Sequence, residues 1–482
     1  MPAAQFRPYS YFSCMKITFH GAARTVTGSK HLLHINPNKN ILLDCGMFQG
    51  LGKETLELNS NWGFEPKDVT YVIISHAHID HIGLLPKLVK DGYKGKIFCT
   101  PQTVELAKIM LLDSAHIQES DVEHINRIHE RQGREEVAAL YTEEDANNVF
   151  PLFVPIPFDV PTRIDEDVEL LYKDCGHILG AASVNLRVKE NGRETRITFS
   201  GDVGRYNDLI LRNPEPFPQA DYILIESTYG DKLHDKVTPA TEQLLKFIVE
   251  TCLRKKGNLV IPSFSVGRTQ ELLYLLNRLD TERRLPPVNY YVDSPLSIET
   301  TEIVKHHPEC FNEKVQDLLK KDNDVFAFPG LVYTRTAEES IKLNSLKEPC
   351  VIISASGMAE AGRVKHHIAN NIADRRNTIL IVGYCEPHSL GGLLRNGAQH
   401  VTIYGEHHDV VAEVGVIQSL SAHGDYNDLS QWLSCQDPRQ VRKLFIVHGE
   451  YEVQQAFRER LLKKGFTDVE VPYLHETIGL GD

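Results

Sequence analysis

Four side chains of the kind that bind metal ions follow one short apolar run of this sequence. The run YVII precedes the segment SHAHIDH, which contains His76, His78, Asp80 and His81. So many imidazole and carboxylate groups cannot enter a core unless a ligand satisfies their polar atoms, because burying unpaired polar groups is costly. A divalent metal ion is the usual solution, and zinc is the metal that this ligand combination most often binds. A plain surface loop is the alternative.

The same arrangement, an ionisable residue just after an apolar run, occurs three more times. His177 follows ELLYKDCG, Asp202 follows RITFSG, and His448 follows KLFIV. Each of these residues, taken alone, could be an ordinary loop residue. Loops after strand ends commonly display catalytic groups on a rigid scaffold, so the three residues and the first motif together predict one site.

The pattern of apolar runs divides the chain into three parts. Residues 15–230 are dominated by short β-like runs such as VELLYKD and TRITF. In residues 231–420 strands alternate with helices, which is typical of parallel βαβ units, and the first helix is expected to begin at the N-cap Thr238 with Pro239 following. Residues 421–482 return to a strand, a histidine and a helix. Because 482 residues exceed the size of a single core, we predict that the middle part is a domain inserted into the first.

The order of these residues along the chain resembles that of the metallo-β-lactamase fold. The residues that carry this resemblance are Asp44, the HxHxDH motif, His177 and Asp202. Three further motifs are similar to those of the β-CASP nucleases, a group that includes the endonuclease of pre-mRNA 3'-end processing and ribonucleases of the ribonuclease J kind. The resemblance spans nearly the whole chain from Met15. It implies an α/β fold, namely a metallo-β-lactamase αββα sandwich with an inserted β-CASP α/β domain whose parallel sheet is flanked by helices. The three further motifs contain Glu226, His423 and His448.

The resemblance also implies how two Zn²⁺ ions would be held. One zinc would be bound by His76, His78 and His177, and the second by Asp80, His81 and His448. Asp202 would bridge the two ions. Asp44 would orient a ligand from behind, a role whose loss commonly weakens metal binding, although an ordinary turn aspartate is the alternative. Two zinc ions lower the pKa of a bridging water, so hydroxide is the expected nucleophile.

Cleavage of a phosphodiester also needs a proton donor, because the leaving sugar oxygen is strongly basic. His423 is the candidate acid, and the resemblance places the motif of Glu226 beside it, where a carboxylate would keep the imidazole protonated. With Asp80 of the metal motif they form the predicted catalytic set. A purely structural reading remains open, since the segment from Ser421 to Asp425 also has the composition of a helix start.

Two loops are the predicted contacts to the substrate backbone, because backbone amides at a helix N-terminus favour an anion. Each loop alone is more often a plain turn between a strand and a helix. The residues are Ser265, Gly267 and Arg268 in SFSVGRTQ, and Ser356, Gly357 and Arg363 in ASGMAEAGR.

The net charge of −13 argues against general nucleic-acid binding, which depends on lysine and arginine. Residues 231–413 are nearly balanced in charge, so a polyanion is better sought there. No motif for sequence-specific base reading is visible. The sequence therefore predicts a zinc-dependent ribonuclease that contacts the backbone of single-stranded RNA.

Three other functions are compatible with a fold of this kind, because a fold does not fix a function. They are a small-molecule hydrolase of the same fold, a DNA nuclease and an inactive scaffold subunit. The resemblance implies that an inactive scaffold would have lost zinc ligands that this chain keeps, and that a DNA nuclease would have an aliphatic residue at the position of His448. The chain ends soon after His448, without the C-terminal domain associated with ribonuclease J, which favours an endonuclease over a 5' exonuclease.

The cysteines and apolar runs bear on where the protein works. The nine scattered cysteines suit a cytoplasmic protein without disulfides, and no apolar run is long enough for a membrane span. A homodimer is compatible with the resemblance, and residues 1–14 are expected to be a frayed extension. The roles of Cys385 and His388 are open.

Overall fold

A computed structural model describes residues 15–52, 54–190, 192–234, 240–417 and 420–481. Two expectations fall outside the described residues, namely the start of the first helix at Thr238 and Pro239 and the frayed extension of residues 1–14. The strands are β1 Lys16–Phe19, β2 His31–Asn36, β3 Lys39–Leu43, β4 Tyr71–Ile73, β5 Lys96–Cys99, β6 Phe153–Pro155, β7 Thr162–Arg163, β8 Val168–Asp174, β9 Ala182–Glu190, β10 Arg193–Phe199, β11 Tyr222–Ile225, β12 Leu259–Pro262, β13 Asn289–Val292, β14 Leu331–Tyr333, β15 Cys350–Ser354, β16 Thr378–Ile381, β17 His400–Ile403, β18 Glu406–Asp409, β19 Glu413–Val416, β20 Lys443–Ile446, β21 Val469–Glu470 and β22 Thr477–Gly479. The helices are α1 Glu54–Ser60, α2 Ile79–Ile82, α3 Leu85–Lys90, α4 Pro101–Gln132, α5 Glu143–Val149, α6 Ala240–Ile248, α7 Arg268–Thr281, α8 Pro295–Lys305, α9 Glu313–Leu319, α10 Ala337–Leu343, α11 Arg363–Asn371, α12 Leu390–Arg395, α13 Tyr426–Trp432 and α14 Tyr451–Lys463.

Two seven-stranded sheets pack face to face and form the two inner layers of a sandwich. Their strand orders are β22-β1-β2-β3-β4-β5-β6 and β21-β20-β11-β10-β9-β8-β7. Side chains in β8 alternate between buried and partly exposed, as expected for a strand with one face toward a core. Apolar residues from both sheets, including Phe19, Leu33, Val184 and Leu186, share one buried cluster. This cluster is the core of a β-sandwich.

Helices cover both outer faces of the sandwich. On the first sheet, Val72 of β4 belongs to the same buried cluster as Leu88 of α3 and Leu106 of α4. On the second sheet, a separate cluster joins β11 and β20 to α13 and α14. The layers therefore run helix, sheet, sheet, helix, which confirms the predicted αββα sandwich.

The middle of the chain forms its own sheet, which confirms the inserted α/β domain. Six strands lie in the order β14-β13-β15-β12-β16-β19, and every pair is parallel. The central strands β12, β15 and β16 are buried along their whole length, as parallel strands between helices are. The boundaries at residues 230 and 420 stay predictions. Among the described residues, none of the helices has the length and apolar character needed to cross a membrane.

The strand directions place the predicted site residues at one edge of the sandwich. Strands β3 and β4 are parallel, as are β10, β11 and β20, and β8 points the same way as β10 because both are antiparallel to β9. The loops after these six strands carry Asp44, His76, His177, Asp202, Glu226 and His448.

Candidate active site

The HxHxDH motif forms a tight loop between the end of β4 and the short helix α2. His76 and His81 are buried, whereas His78 and Asp80 are partly exposed. Neighbouring loops fix this segment, since the amide of Ser29 donates to the carbonyl of Asp80 over 2.8 Å. Gly46 also packs directly against the Asp80 carbonyl. A Cβ at Gly46 would lie 1.6 Å from the carbonyl oxygen, so a residue with a side chain would not fit there.

A first group of ligand atoms comes from three histidines and one aspartate. His78 Nδ1 lies 3.0 Å from His76 Nε2 and 3.2 Å from His177 Nε2. Asp202 Oδ2 is 3.5 Å from both His76 Nε2 and His177 Nε2. All four residues offer one atom within 4.8 Å of the others, so they can bind a single ion.

A second group lies on the other side of Asp202. His81 Nε2 and His448 Nε2 are 3.3 Å apart, and His448 Nε2 is 3.3 Å from Asp80 Oδ2. Asp202 Oδ2 is also 3.4 Å from His81 Nε2. One carboxylate oxygen therefore borders both groups, which is the placement that a bridging ligand requires.

The chemistry of these groups fits divalent metal ions. Burial lowers the pKa of His76 and His177 well below the usual value, and that of His78 to about 4, so the imidazoles are neutral as metal ligands must be. Although burial opposes it, Asp202 and two other carboxylates raise the pKa of His81 well above its usual value, so the group attracts positive charge. Asp202 Oδ1 and His177 Nδ1 are buried without a hydrogen-bond partner among the described residues. A nitrogen and oxygen donor set of this kind suits zinc.

Asp44 lies directly behind the second group. Its carboxylate accepts hydrogen bonds from the Ser75 amide at 2.8 Å and from the hydroxyls of Ser75 and Ser29. His81 Nδ1 lies 2.6 Å from Asp44 Oδ2, so that carboxylate fixes the ring and leaves Nε2 free to bind a metal. The aspartate is fully buried and has a φ of +58°.

Glu226 and His423 form a pair beside the ligand groups. His423 Nδ1 lies 3.1 Å from Glu226 Oε1 and 3.9 Å from Asp202 Oδ2. Glu226 is held in place by the backbone amides of Val203 and Thr228, which donate to its carboxylate. Burial would lower the pKa of His423, but Glu226 and Asp202 outweigh it and raise the pKa to about 9. Both carboxylates therefore favour the protonated form of the imidazole.

His234 supports this pair and was missed from the sequence. Its Nε2 donates to the carbonyl of His423 over 2.9 Å, and its amide donates to Asp425 Oδ2. Asp425 is the N-cap of α13 and forms a capping box with Asp428, as the composition of residues 421–425 suggested. His234, Asp425 and Asp428 also lie close enough to hold a cation, but His234 Nε2 and the carboxylate oxygens of Asp425 and Asp428 already take part in hydrogen bonds within the protein. The sequence feature that could have indicated this role of His234 is its short spacing from Glu226.

The loop of Ser265, Gly267 and Arg268 lies where β12 meets α7. The Gly267 amide donates to Gln270 Oε1 over 2.7 Å, so that donor already has a partner. Arg268 is buried and forms an ion pair with Glu271. Burial lowers the pKa of its guanidinium to about 10. Contact of these residues with phosphate stays a prediction.

The second predicted loop follows β15. Arg363 donates to Asp293 Oδ1 over 2.7 Å and to two backbone carbonyls, so most of its hydrogen-bonding capacity is used within the domain. The hydroxyl of Ser356 lies 3.4 Å from the carbonyl of Ala361. Gly357 contacts the ring of Phe264. The phosphate-binding role of Ser356, Gly357 and Arg363 also stays a prediction.

Cys385 and His388, whose roles the sequence left open, differ in their surroundings. Cys385 belongs to a buried apolar cluster, and burial raises the pKa of its thiol to about 12. His388 is exposed, and its backbone amide donates to Glu386 Oε2 over 2.7 Å. Neither residue belongs to a group of metal-binding side chains among the described residues.

Comparison with known proteins supports the same assignment. Family models match residues 31–246 as metallo-β-lactamase superfamily, 269–394 as Beta-Casp domain and 407–472 as Zn-dependent metallo-hydrolase RNA specificity domain. Ribonuclease TTHA0252 of Thermus thermophilus is 33% identical, over 94% of this chain and 97% of that protein. An RNase J-like protein of Methanocaldococcus jannaschii is 30% identical over 93% and 95% of the two chains. Transcription termination factor FttA of Methanosarcina mazei is 29% identical over 93% and 69%.

A solved structure shows the fold alone. It is a protein of unknown function from Enterococcus faecalis V583, with a TM-score of 0.51 and 12% identity, covering 97% of this chain and 100% of that one. Three observations indicate the same family. They are the sequence matches, the sandwich with its inserted parallel sheet, and the groups of histidine and aspartate side chains. The chain therefore belongs to the metallo-β-lactamase superfamily and, within it, to the β-CASP family of metal-dependent hydrolases that includes ribonucleases.

Proposed function

We propose that this protein is a zinc-dependent endoribonuclease that hydrolyses phosphodiester bonds in single-stranded RNA. The observation that carries the proposal is the position of Asp202. One oxygen of its carboxylate lies within 3.9 Å of both ligand groups and of His423. Two metal positions and a proton donor therefore border the same point, which is the arrangement that attack on a phosphodiester needs.

Two Zn²⁺ ions are the proposed cofactors. His76, His78 and His177 would hold one ion, Asp80, His81 and His448 the other, and Asp202 both. When bound, the ions would supply Lewis acidity and a low-pKa bridging water as the nucleophile. Asp44 keeps His81 in the orientation that binding requires.

His423 is the proposed acid for the leaving sugar oxygen. The imidazole keeps its proton because Glu226 accepts from Nδ1, and this leaves Nε2–H available to donate. The side chain of His423 is 16% exposed, whereas that of Glu226 is completely buried. His423 can therefore reach a bound substrate, while Glu226 acts through it. General acids of this kind contribute about 10² to 10⁴ in rate.

RNA as the substrate is supported by the names of the relatives. Ribonuclease TTHA0252 matches almost the full length of this chain, and the family model over residues 407–472 is described as an RNA specificity domain. Residues 443–448 of that region form β20 and the loop of His448, so the match includes part of the proposed site. Cytoplasmic location and a homodimer remain part of the proposal.

The experiment is cleavage of a 5'-labelled, unstructured RNA with added zinc, beside DNA of the same sequence. His81→Ala should remove metal binding and cleavage, and His423→Ala should keep the metal but cut at least 10²-fold more slowly. His116→Ala, with a side chain 72% exposed, is the matched control and should behave as wild type. Internal fragments from RNA support an endonuclease. A zinc-loaded protein that cuts neither polymer would refute the proposal and favour a small-molecule hydrolase.

A further inference from the structure

Phe264 occupies a prominent position beside the ligand groups and has no role in the chemistry above. It follows β12, a central strand of the inserted sheet, and its side chain is partly exposed. The ring centroid lies 6.5 Å from that of His78, with an angle of 50° between the ring planes. The inserted domain therefore directs an aromatic side chain at a metal ligand of the sandwich.

Two glycines, which have no side chains, lie against the ring of Phe264. Gly357 follows β15 and Gly383 lies just beyond β16, the two strands on either side of β12. A Cβ at Gly357 would lie 2.5 to 2.8 Å from three atoms of the Phe264 ring, and one at Gly383 would lie 3.6 Å from it. The ring belongs to none of the five hydrophobic clusters that the described residues form. Because the ring lies outside these clusters and is partly exposed, part of it is accessible to a ligand.

The backbone of Phe264 is firmly held. Its carbonyl accepts hydrogen bonds from the Thr269 amide at 3.2 Å and from the Thr269 hydroxyl at 2.8 Å. The preceding residue, Ser263, donates its amide to the carbonyl of Ser354 over 3.0 Å. These bonds fix the position of the Cα atom, so less backbone freedom is lost when a planar group packs on the ring.

We propose that Phe264 stacks on an unpaired nucleobase of the RNA, at the nucleotide that carries the reacting phosphate or directly adjoins it. This inference rests on the proposed ribonuclease function and deepens it. The 6.5 Å separation from His78 confines the base to the immediate neighbourhood of the ligand groups. Every base has a π-face, so such a contact tolerates many sequences.

The same contact gives a physical reason for single-strand preference. In a duplex both faces of a base are covered by its neighbours, and the base must first be unstacked before it can reach a protein ring. An unpaired base has no such cost. Duplex RNA of the same sequence should therefore be protected close to the cleavage point.

The test combines protein variants with substrates that lack one base. A cleavage site is mapped in an unstructured RNA, and an abasic nucleotide is then placed at each position around it. Wild type should lose about 5- to 150-fold in single-turnover cleavage at one position next to the cut. Phe264→Leu, which keeps apolar volume but has no π-face, should lose a similar factor on intact RNA and nothing further on that abasic RNA. Phe264→Tyr should retain wild-type behaviour.

Metal content and the unfolding midpoint of each variant separate stacking from misfolding. The abasic series on wild type alone also decides the matter, because indifference to every base near the cut would overturn the inference. Equal abasic losses in wild type and Phe264→Leu would overturn it as well. If wild type cuts no RNA at all, the proposed function fails first and the stacking inference falls with it, whereas cutting that ignores Phe264 refutes the inference alone.

Discussion

Replacing Asp44 by asparagine tests whether a side chain outside the ligand groups sets metal affinity. Asparagine has nearly the same shape and tolerates the positive φ of 58° at this position, so the backbone should not move. Its amide, however, places a donor where the carboxylate has an acceptor. Either His81 Nδ1–H or the Ser75 amide must then face an N–H group instead of an oxygen.

The magnitude follows from what Asp44 does for His81. Loss of a partner that orients a metal-binding histidine typically weakens binding 10- to 100-fold, which equals about 1.4 to 2.7 kcal/mol. The buried polar group left without a partner should also cost the metal-free protein about 1 to 3 kcal/mol of folding free energy. We therefore expect both a weaker zinc affinity and a lower unfolding midpoint.

The assay is zinc competition against a chromogenic chelator, with the stability of the metal-free protein measured separately by denaturant unfolding. Ser29→Ala is the control, because it removes only one donor to Asp44, at 3.2 Å, and leaves the His81 contact intact. Its zinc affinity should stay close to that of wild type. An Asp44→Asn protein that binds zinc as tightly as wild type would show that the His81 orientation does not depend on this carboxylate.

Three further predictions concern the acid pair, the inserted domain and the contact between the domains. His234→Ala should lower kcat about 10-fold or more with little change in KM or zinc content, since it frees the loop that carries the proposed acid; steady-state kinetics test this. Burial would raise the pKa of Asp293, but four side-chain hydrogen bonds outweigh it and lower the pKa from 3.8 to about 2. The ionised Asp293 therefore stabilises the folded protein above about pH 4, and this contribution is lost as the pH falls through 2. The difference in unfolding free energy between wild type and Asp293→Asn should therefore narrow by about 2 kcal/mol in acid denaturation. Gly50→Ala and Gly52→Ala both place a side chain at a backbone position with positive φ. Only at Gly50 would the new Cβ meet Glu386 of the inserted domain, at 2.8 Å. Only Gly50→Ala should therefore disturb the contact between the domains and raise the KM for RNA.

The metal groups were largely predictable because their signal is local. His76, His78, Asp80 and His81 stand within a few residues of one another, and strand periodicity places the loop at a sheet edge. Parallel strands then bring the remaining residues to the same edge without further information. The inserted parallel sheet was predicted from the alternation of strands and helices, whereas the αββα sandwich was predicted from the family resemblance.

The contacts that sequence reasoning missed join distant segments of the chain. Arg363, whose contact with phosphate stays a prediction, pairs with Asp293, because a fully buried carboxylate needs a compensating charge. Nothing local announces that partner 70 residues away. Likewise, the sequence did not show that Gly357, whose phosphate contact also stays a prediction, lacks a side chain where the ring of Phe264 packs. Such roles follow from the neighbours in space and not from the motif itself.

The two domains divide the work of the proposed site unequally. Every proposed metal ligand and both members of the acid pair come from the sandwich, and its edge carries several carboxylates that repel a polyanion. Bound metal ions would offset this repulsion, and contacts outside the edge would help to hold the RNA in place. The inserted domain offers such a contact, because Phe264 from its central strand faces His78. Removing zinc should therefore weaken RNA binding without abolishing the contact with the inserted domain, whereas it should abolish cleavage.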